Sequence, residues 1–191
     1  WLAQDLLATS QEWIIAYWHH PPYSKGSHDS DTESELREMR ENALPILEQG
    51  GVDLVLAGHS HSYERSFLLD GHYGSSGTLT PGMILDGGDG RPTGDGAYVK
   101  VPQTARAGAV YGVAGSSGQT SGGPLNHPAM YLSLDVLGSL VLDLQGNRLD
   151  ATFLDAAGAT RDTFTIQKNT PPSPPLRYHT LAPCRTIDTR N

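Results

Sequence analysis

The sequence predicts a layered α/β (α+β) fold that ends in an antiparallel β-meander. Near the amino terminus, two short apolar runs flank an amphipathic stretch, which is the pattern of a strand–helix–strand unit with parallel strands. In residues 139–166, three runs of alternating apolar and polar residues are separated by glycine-containing turns. Such alternation is typical of an antiparallel meander with one buried face.

The first apolar run is predicted to end at two histidines. Residues 1–8 have the spacing of a short amphipathic helix, and residues 12–18 (EWIIAYW) are rich in the aromatic and β-branched residues that favour a strand. His19 and His20 follow directly, and Pro21 cannot continue a sheet ladder. The strand should therefore stop where the histidines stand.

A helix is predicted to connect this strand to the next one. Ser30 and Glu33 have the spacing of a capping box at its start, and Gly50 and Gly51 end it. Pro45 should kink the helix or begin a second one, because proline lacks the amide hydrogen that a helix interior needs. The apolar stripe of this helix consists of Leu36, Met39, Ala43, Leu44 and Leu47.

The second apolar run, residues 52–57 (VDLVLA), is predicted to be a buried strand that leads into His59 and His61. Because the two strands of a βαβ unit end on the same edge, His19 should lie near these two histidines. An extended loop would place His59 and His61 on one side, about 6–7 Å apart. That spacing suits two metal ions about 3.5–4 Å apart. Taken alone, the pair is equally consistent with a surface loop that happens to contain two histidines.

The middle of the chain is predicted to be loop-rich. Residues 68–96 are rich in glycine and aspartate and should form long loops, with Asp86 and Asp89 in turns. Residues 109–114 (AVYGVA) predict a strand, which a glycine- and serine-rich loop, residues 115–123, follows.

The end of the chain predicts a domain boundary. The stretch TPPSPP, residues 170–175, is typical of a stiff extended linker. It would separate a domain of residues 1–169 from residues 176–191, the start of an appended module in which Cys184 should be a small buried residue.

Composition excludes several classes of function. The formal net charge of −8 over 191 residues argues against nucleic acid or an anionic membrane as a partner. The single cysteine cannot form a disulfide within the chain or a thiolate metal cluster, so any metal must be held by other side chains. No apolar run approaches the length of a transmembrane helix.

Two motifs resemble a known family. Residues 19–23 (HHPPY) and 58–65 (GHSHSYER) are similar to the last two motifs of the calcineurin-like metallophosphoesterases, and in particular to the H-x-P-x-Y and G-H-x-H-x-Y-E-R patterns of the purple acid phosphatases. The resemblance covers roughly residues 1–168. It implies an αββα layered sandwich, a phosphate-ester substrate and two divalent or trivalent metal ions (Fe, Zn or Mn).

The resemblance also implies roles for single residues. His19 and His59 would bind one metal ion and His61 the other. His28 would contact the substrate phosphate and protonate the leaving group, although a solvated loop histidine is an equal alternative. His20 falls where the family varies and is assigned to substrate binding rather than to a metal.

Other residues of the motifs are predicted to be structural. Tyr63 and Arg65 should brace the loop. Residues 94–98 (GDGAY) spell the family's G-D-x-x-Y pattern, but they follow the histidine motif and no apolar strand precedes them, so we interpret them as a chance match.

The family's remaining ligands come from D-x-G, G-D-x-x-Y and G-N-H motifs, none of which precedes His19 in this sequence. The chain is therefore interpreted as the carboxyl-terminal half of a dinuclear phosphoric ester hydrolase, inactive without the other half and located outside the cytoplasm. The alternative is a non-catalytic, β-rich binding or interaction module with vestigial histidines.

Overall fold

The computed structural model describes residues 1–169. The predicted linker (170–175) and the predicted module (176–191) with Cys184 lie outside the described residues, so the domain boundary stays a prediction. Within the described part, no helix has both the length and the apolar character needed to cross a membrane.

Few helices and many short strands make up the fold. The helices are α1 (Leu2–Ala8), α2 (Ser34–Glu38) and α3 (Leu44–Gln49), with a π-helical turn, Met39–Ala43, between the last two. The strands are β1 (Ile15–Tyr17), β2 (Leu54–Ala57), β3 (Tyr63–Ser66), β4 (Leu68–Leu69), β5 (Ile84–Asp86), β6 (Tyr98–Lys100), β7 (Val110–Ala114), β8 (Met130–Leu134), β9 (Gly138–Gln145), β10 (Arg148–Asp155) and β11 (Thr160–Lys168).

The first sheet has five strands in the order β1-β2-β7-β3-β8. Strands β1 and β2 are parallel and pair Ile15 with Leu54 and Tyr17 with Leu56, which confirms the predicted strand–helix–strand unit. Strand β7 is parallel to β2, β3 is antiparallel to β7, and β8 is antiparallel to β3. Strand β1 is the edge of this sheet, and Tyr17 is 83% exposed there.

The second sheet has the order β6-β11-β10-β9, and β9 to β11 form the predicted antiparallel meander. Leu149 and Ile166 pair across neighbouring strands and are both buried. The parallel addition of β6 to β11 was not predicted. Three residues are too short a run to reveal a strand when its partner lies 68 residues away in the chain.

Two hydrophobic cores give the molecule its layers. Val55 and Tyr111 face the helices, together with Leu44 and Leu47 of α3. The next residue along β2, Leu54, faces the other way and packs with residues of the second sheet. Because successive side chains in a strand point to opposite faces, the first sheet is buried on both sides, as the predicted layered α/β sandwich requires. The core between the sheets includes Leu54, Tyr98, Val110, Leu149, Phe164 and Ile166.

Polar contacts also link the two sheets. The buried guanidinium of Arg65 on β3 forms a two-point ion pair with Asp162 on β11. Asp53, just before β2, lies between the ammonium groups of Lys100 and Lys168 at 2.9 and 2.7 Å. Buried charges are tolerated when they are paired in this way.

One local prediction was wrong. The capping box does not form: the N-cap of α2 is Glu33, and the Ser30 hydroxyl accepts a hydrogen bond from the amide of Ser24 instead. The prediction for Pro45 is confirmed: a π-helical turn interrupts the crossover, and Pro45 lies in the first turn of the second helix, α3.

Candidate metal centre

His19 and His59 meet at the edge of the first sheet. Backbone bonds continue the parallel pairing past the strand ends: Trp18 donates its amide to Leu56, and Gly58 donates to His19, at 3.1 and 3.0 Å. These bonds hold the two histidine loops side by side. The Nε2 atom of His19 then lies 3.0 Å from the Nδ1 atom of His59. The predicted convergence of these residues is confirmed.

The loop after β2 is not extended, which corrects one expectation. His59 has φ of 60° and is the centre of a three-residue turn, in which the amide of Ser60 donates to the carbonyl of Gly58 at 2.7 Å. A side chain with positive φ is uncommon and tends to occur at functional sites. The turn breaks the alternation that would have put His59 and His61 on one side.

His61 accordingly belongs to neither histidine cluster of the described residues. Its Nδ1 atom lies 2.9 Å from the Ser121 hydroxyl, and its amide donates to the Ser27 hydroxyl at 3.0 Å. With Nδ1 engaged by Ser121, Nε2 is the ring nitrogen that remains for a ligand. Ser121 lies in the loop after β7, 60 residues along the chain, and no sequence pattern pointed to it.

His28 reaches the same edge and is paired with a carboxylate. Its Nδ1 atom donates to both oxygens of Glu33, at 3.0 and 2.9 Å, and its ring packs against that of His59 with centroids 3.8 Å apart and the ring planes inclined by 37°. The Nε2 atom of His59 lies 3.5 Å from Glu33, on the far side of the ring from His19. Glu33 thus contacts two of the predicted site residues, although its spacing from Ser30 had suggested only a helix cap.

The electrostatics of the cluster favour neutral imidazole at His59. Partial burial lowers the pKa of His59, and the neighbouring histidines, first of all His28, lower it further, against the effect of Glu33. Burial alone would raise the pKa of Glu33, but its hydrogen bonds to His28 and to the backbone amide of Asp29 outweigh that effect and lower it. A neutral imidazole beside an ionised carboxylate is the protonation state that a metal-binding histidine requires.

The spacing of the ring nitrogens fits a metal ion. Two imidazole nitrogens that share one ion at bond lengths of about 2.0–2.1 Å stand about 2.8–3.4 Å apart for bond angles between octahedral and tetrahedral. The nitrogens of His19 and His59 are 3.0 Å apart. Glu33 is the carboxylate of the two clusters found in the described residues, and it faces Nε2 of His59 rather than this pair. The described residues therefore fit one ion here, and a second ion would need further ligands.

Glu64 links the two histidine loops through hydrogen bonds. Its buried carboxylate accepts hydrogen bonds from the hydroxyls of Ser24 and Ser62, at 2.6 and 2.9 Å, and from the amide of Lys25. Ser24 belongs to the loop after His19, and Ser62 to the loop of His59. Burial raises the pKa of Glu64 although these bonds oppose it. The sequence showed Glu64 within a motif but gave no sign of this role.

The other motif residues have structural contacts, as predicted. Arg65 and Tyr63 are buried and both bind Asp162. Asp86 accepts a bond from the amide of Gly88, and Asp89 from that of Arg91, which are turn contacts.

The GDGAY stretch also has a structural role. Asp95 accepts bonds from the amide of Asp89, and Tyr98 donates to the carbonyl of Gly88 while it accepts from Arg65. Its aspartate and tyrosine are engaged in these loop and core contacts.

Comparisons with known proteins show similarity to phosphatases in sequence. Residues 1–63 match the family model of the calcineurin-like phosphoesterases. The chain is 33% identical over 106 residues to purple acid phosphatase 18 of Arabidopsis thaliana, an alignment that covers 53% of this chain and 23% of that protein. It is 36% identical over 89 residues to an acid phosphatase of Aspergillus ficuum, covering 45% of this chain and 13% of that protein.

Solved structures share the fold at low identity. The purple acid phosphatase PPD1 from yellow lupin seeds superposes with a TM-score of 0.65 at 16% identity, over 93% of this chain and 31% of that chain. GAP50, the anchor in the inner membrane complex of Plasmodium, superposes with a TM-score of 0.56 at 16% identity, over 88% of this chain and 41% of that chain. The chain thus spans less than half the length of these proteins. The chain is therefore similar in sequence to calcineurin-like phosphoesterases over its first 63 residues, and similar in fold to a purple acid phosphatase.

Proposed function

We propose that the complete protein hydrolyses phosphoric esters at a dinuclear metal centre, to which this chain contributes imidazole ligands. The observation that carries the proposal is the 3.0 Å approach of His19 and His59 at the end of two parallel strands. In this proposal His19 and His59 bind one ion and His61 the other. The bound ions, Fe, Zn or Mn, would polarise the phosphate and supply a hydroxide nucleophile near neutral pH.

His28 would act on the substrate rather than on a metal ion. Because Glu33 accepts the proton of Nδ1, Nε2 is the nitrogen left to hydrogen-bond a phosphate oxygen or to exchange a proton with the leaving oxygen. The neighbouring ring of His59 restricts the orientation of the His28 imidazole. His20 also lies against His59, with ring centroids 4.7 Å apart, and would contribute a further contact to the phosphate.

The chain alone is proposed to be inactive. Three imidazoles and the distant carboxylate of Glu33 leave two ions without a bridging ligand, and unbridged like charges repel strongly at about 3.5–4 Å. The location outside the cytoplasm, and the absence of nucleic acid and membrane partners, stay predictions.

The test is hydrolysis of p-nitrophenyl phosphate by two samples: residues 1–191, and a longer form that also supplies the D-x-G, G-D-x-x-Y and G-N-H segments. We expect turnover from the longer form alone, its loss on adding a chelator, and a fall of at least about a hundredfold for His59→Ala and His61→Ala. Gln145→Ala, an exposed change on β9 of the second sheet, is the control. Turnover by residues 1–191 would contradict the inactivity. A folded but inactive longer form would favour the non-catalytic binding module.

A further inference from the structure

A third imidazole completes a triangle with His19 and His59. The ring centroid of His20 lies 4.9 Å from that of His19 and 4.7 Å from that of His59, and the last two are 4.9 Å apart. All three pairs meet edge to face. One ring nitrogen from each of the three residues lies within 4.8 Å of the others.

We propose that His19, His20 and His59 form a mononuclear site that lets this chain alone bind one transition-metal ion of the zinc type. Three protein ligands leave a fourth, open position for water or a small anion. The site shares two residues with the proposed dinuclear centre, but it needs neither His61 nor a bridging carboxylate. It therefore does not rest on the proposed hydrolysis.

The spacing of the triangle suits one ion. His19 and His59 already stand 3.0 Å apart, within the range for two ligands of one ion. For the His20 nitrogen, closing from at most 4.8 Å to a tetrahedral spacing of about 3.3 Å requires a movement of up to about 1.5 Å. The side chain of His20 is only half buried, so a rotation of its ring can supply that movement.

The surroundings hold the triangle in place. The indole of Trp18 donates to the carbonyl of His20 at 2.5 Å, and the amide of Gly58 donates to the carbonyl of His19 at 3.0 Å. Glu33 lies at Nε2 of His59 and favours the tautomer that carries its proton there. That tautomer leaves Nδ1 without a proton, as a ligand nitrogen must be.

The donor set selects the kind of ion. Imidazole nitrogens suit Zn²⁺, Cu²⁺, Ni²⁺ and iron, whereas Mg²⁺ and Ca²⁺ prefer oxygen ligands. With three neutral ligands the site keeps the full charge of the ion, so an anion is a natural occupant of the fourth position.

The experiment is a titration of metal-free residues 1–191 with Zn²⁺, followed by calorimetry, and with Co²⁺, followed by its visible absorption. The matched variants are His20→Ala and His61→Ala, with far-UV circular dichroism as the check on folding. We expect one ion per chain in the parent protein. In His20→Ala we expect the affinity for the ion to fall by at least about tenfold, because even the loss of a group that only supports a ligand lowers metal affinity about 10–100-fold. In His61→Ala we expect unchanged binding.

Two outcomes would overturn the mononuclear site: no saturable binding by the folded chain, or unchanged binding in His20→Ala. In the second case, loss of binding in His61→Ala would assign the ion to the His59 and His61 loop instead. Phosphatase activity of the longer form is measured separately, so failure of the hydrolase proposal leaves this result intact.

Discussion

The guanidinium of Arg65 and the carboxylate of Asp162 form a fully buried, two-point ion pair between the two sheets, with N–O distances of 2.6 and 3.0 Å. It fixes β3, the strand that directly follows the loop of His59 and His61, against the second sheet. Tyr63, two residues earlier on the same strand, donates to the same carboxylate. The position of the histidine loop therefore depends on a contact with a strand nearly a hundred residues away.

Asp162→Ala should strongly destabilise the protein. It leaves the charge of Arg65 buried without a partner, which costs about 3–5 kcal/mol of unfolding free energy. Urea unfolding followed by circular dichroism measures the change. Glu41→Ala, which removes an exposed pair with Arg37, is the control and should cost less than about 0.5 kcal/mol. Equal effects of the two substitutions would show that the buried pair has no special role.

Glu33→Gln should weaken Zn²⁺ binding without unfolding the chain. The amide can no longer accept protons from His28 and His59 through two equivalent oxygens, so the tautomer of His59 is held less firmly. Loss of such a supporting group typically lowers metal affinity about 10–100-fold. Calorimetric titration of residues 1–191 checks this, with Glu35→Gln as the neighbouring control. The same affinity for both variants would remove Glu33 from the site.

His72 should make the fold sensitive to acid. Burial, and then the charge of Arg40, lower the pKa of His72 from 6.5 to about 4. The unfolded chain therefore binds more protons than the native one between these values. The stability that neutral His72 contributes is complete above pH 6.5 and is lost as the pH falls towards about 4. At about 1.4 kcal/mol per pKa unit, the loss is at most about 3.5 kcal/mol.

His72→Phe tests this directly. Phenylalanine keeps the stack on Tyr23 and removes two buried ring nitrogens that have no hydrogen-bond partner within residues 1–169. We expect the free energy of unfolding to rise by about 1–3 kcal/mol at pH 7, and to fall less steeply between pH 6.5 and 4 than in the parent protein. A parallel pH dependence in the two proteins would assign the acid sensitivity to other groups, such as His127, whose pKa burial lowers to about 3.

Gly123→Ala should disturb the loop that carries Ser121. A Cβ atom at Gly123 would lie 1.8 Å from the carbonyl oxygen of Gly26, and the residue has φ of 116°, where side chains are strained. We expect a loss of about 1–3 kcal/mol in urea unfolding. Gly118→Ala lies in the same loop but would meet no atom within 4 Å, so it should be neutral. Similar losses would mean that the contact with Gly26 can relax without cost.

The sequence allowed the fold to be predicted where the signal was local and periodic. The strand–helix–strand unit and the meander have long enough patterns to identify, and the rule that parallel strands end together placed His19 beside His59. The capping box was wrong because Glu33 is held by His28, a competing partner that only the folded loop brings near. Strand β8, which pairs with β3 more than sixty residues earlier, had no local signal at all.

The site was predictable in its residue types but not in its grouping. The turn at His59 depends on a positive φ, which cannot be predicted from a sequence pattern at a residue other than glycine. This turn separates His61 from the cluster. His20 joins the cluster from the other loop, where the indole of Trp18 donates to its carbonyl. Ser121 and Glu64 act through contacts between loops, which depend on the tertiary structure alone.

The exposed edge of β1 has a consequence for assembly. His19 follows β1 within two residues, so any strand that pairs with the open side of β1 in parallel would bring its own carboxyl end beside this histidine. Extension of the sheet and completion of the metal ligands would then occur together. The two equilibria would be coupled, so ion binding would stabilise the strand pairing by the same free energy by which the pairing stabilises ion binding. Without such a partner, Tyr17 and the adjoining backbone of β1 offer an edge to which another copy can pair. The isolated chain should therefore self-associate increasingly as its concentration rises.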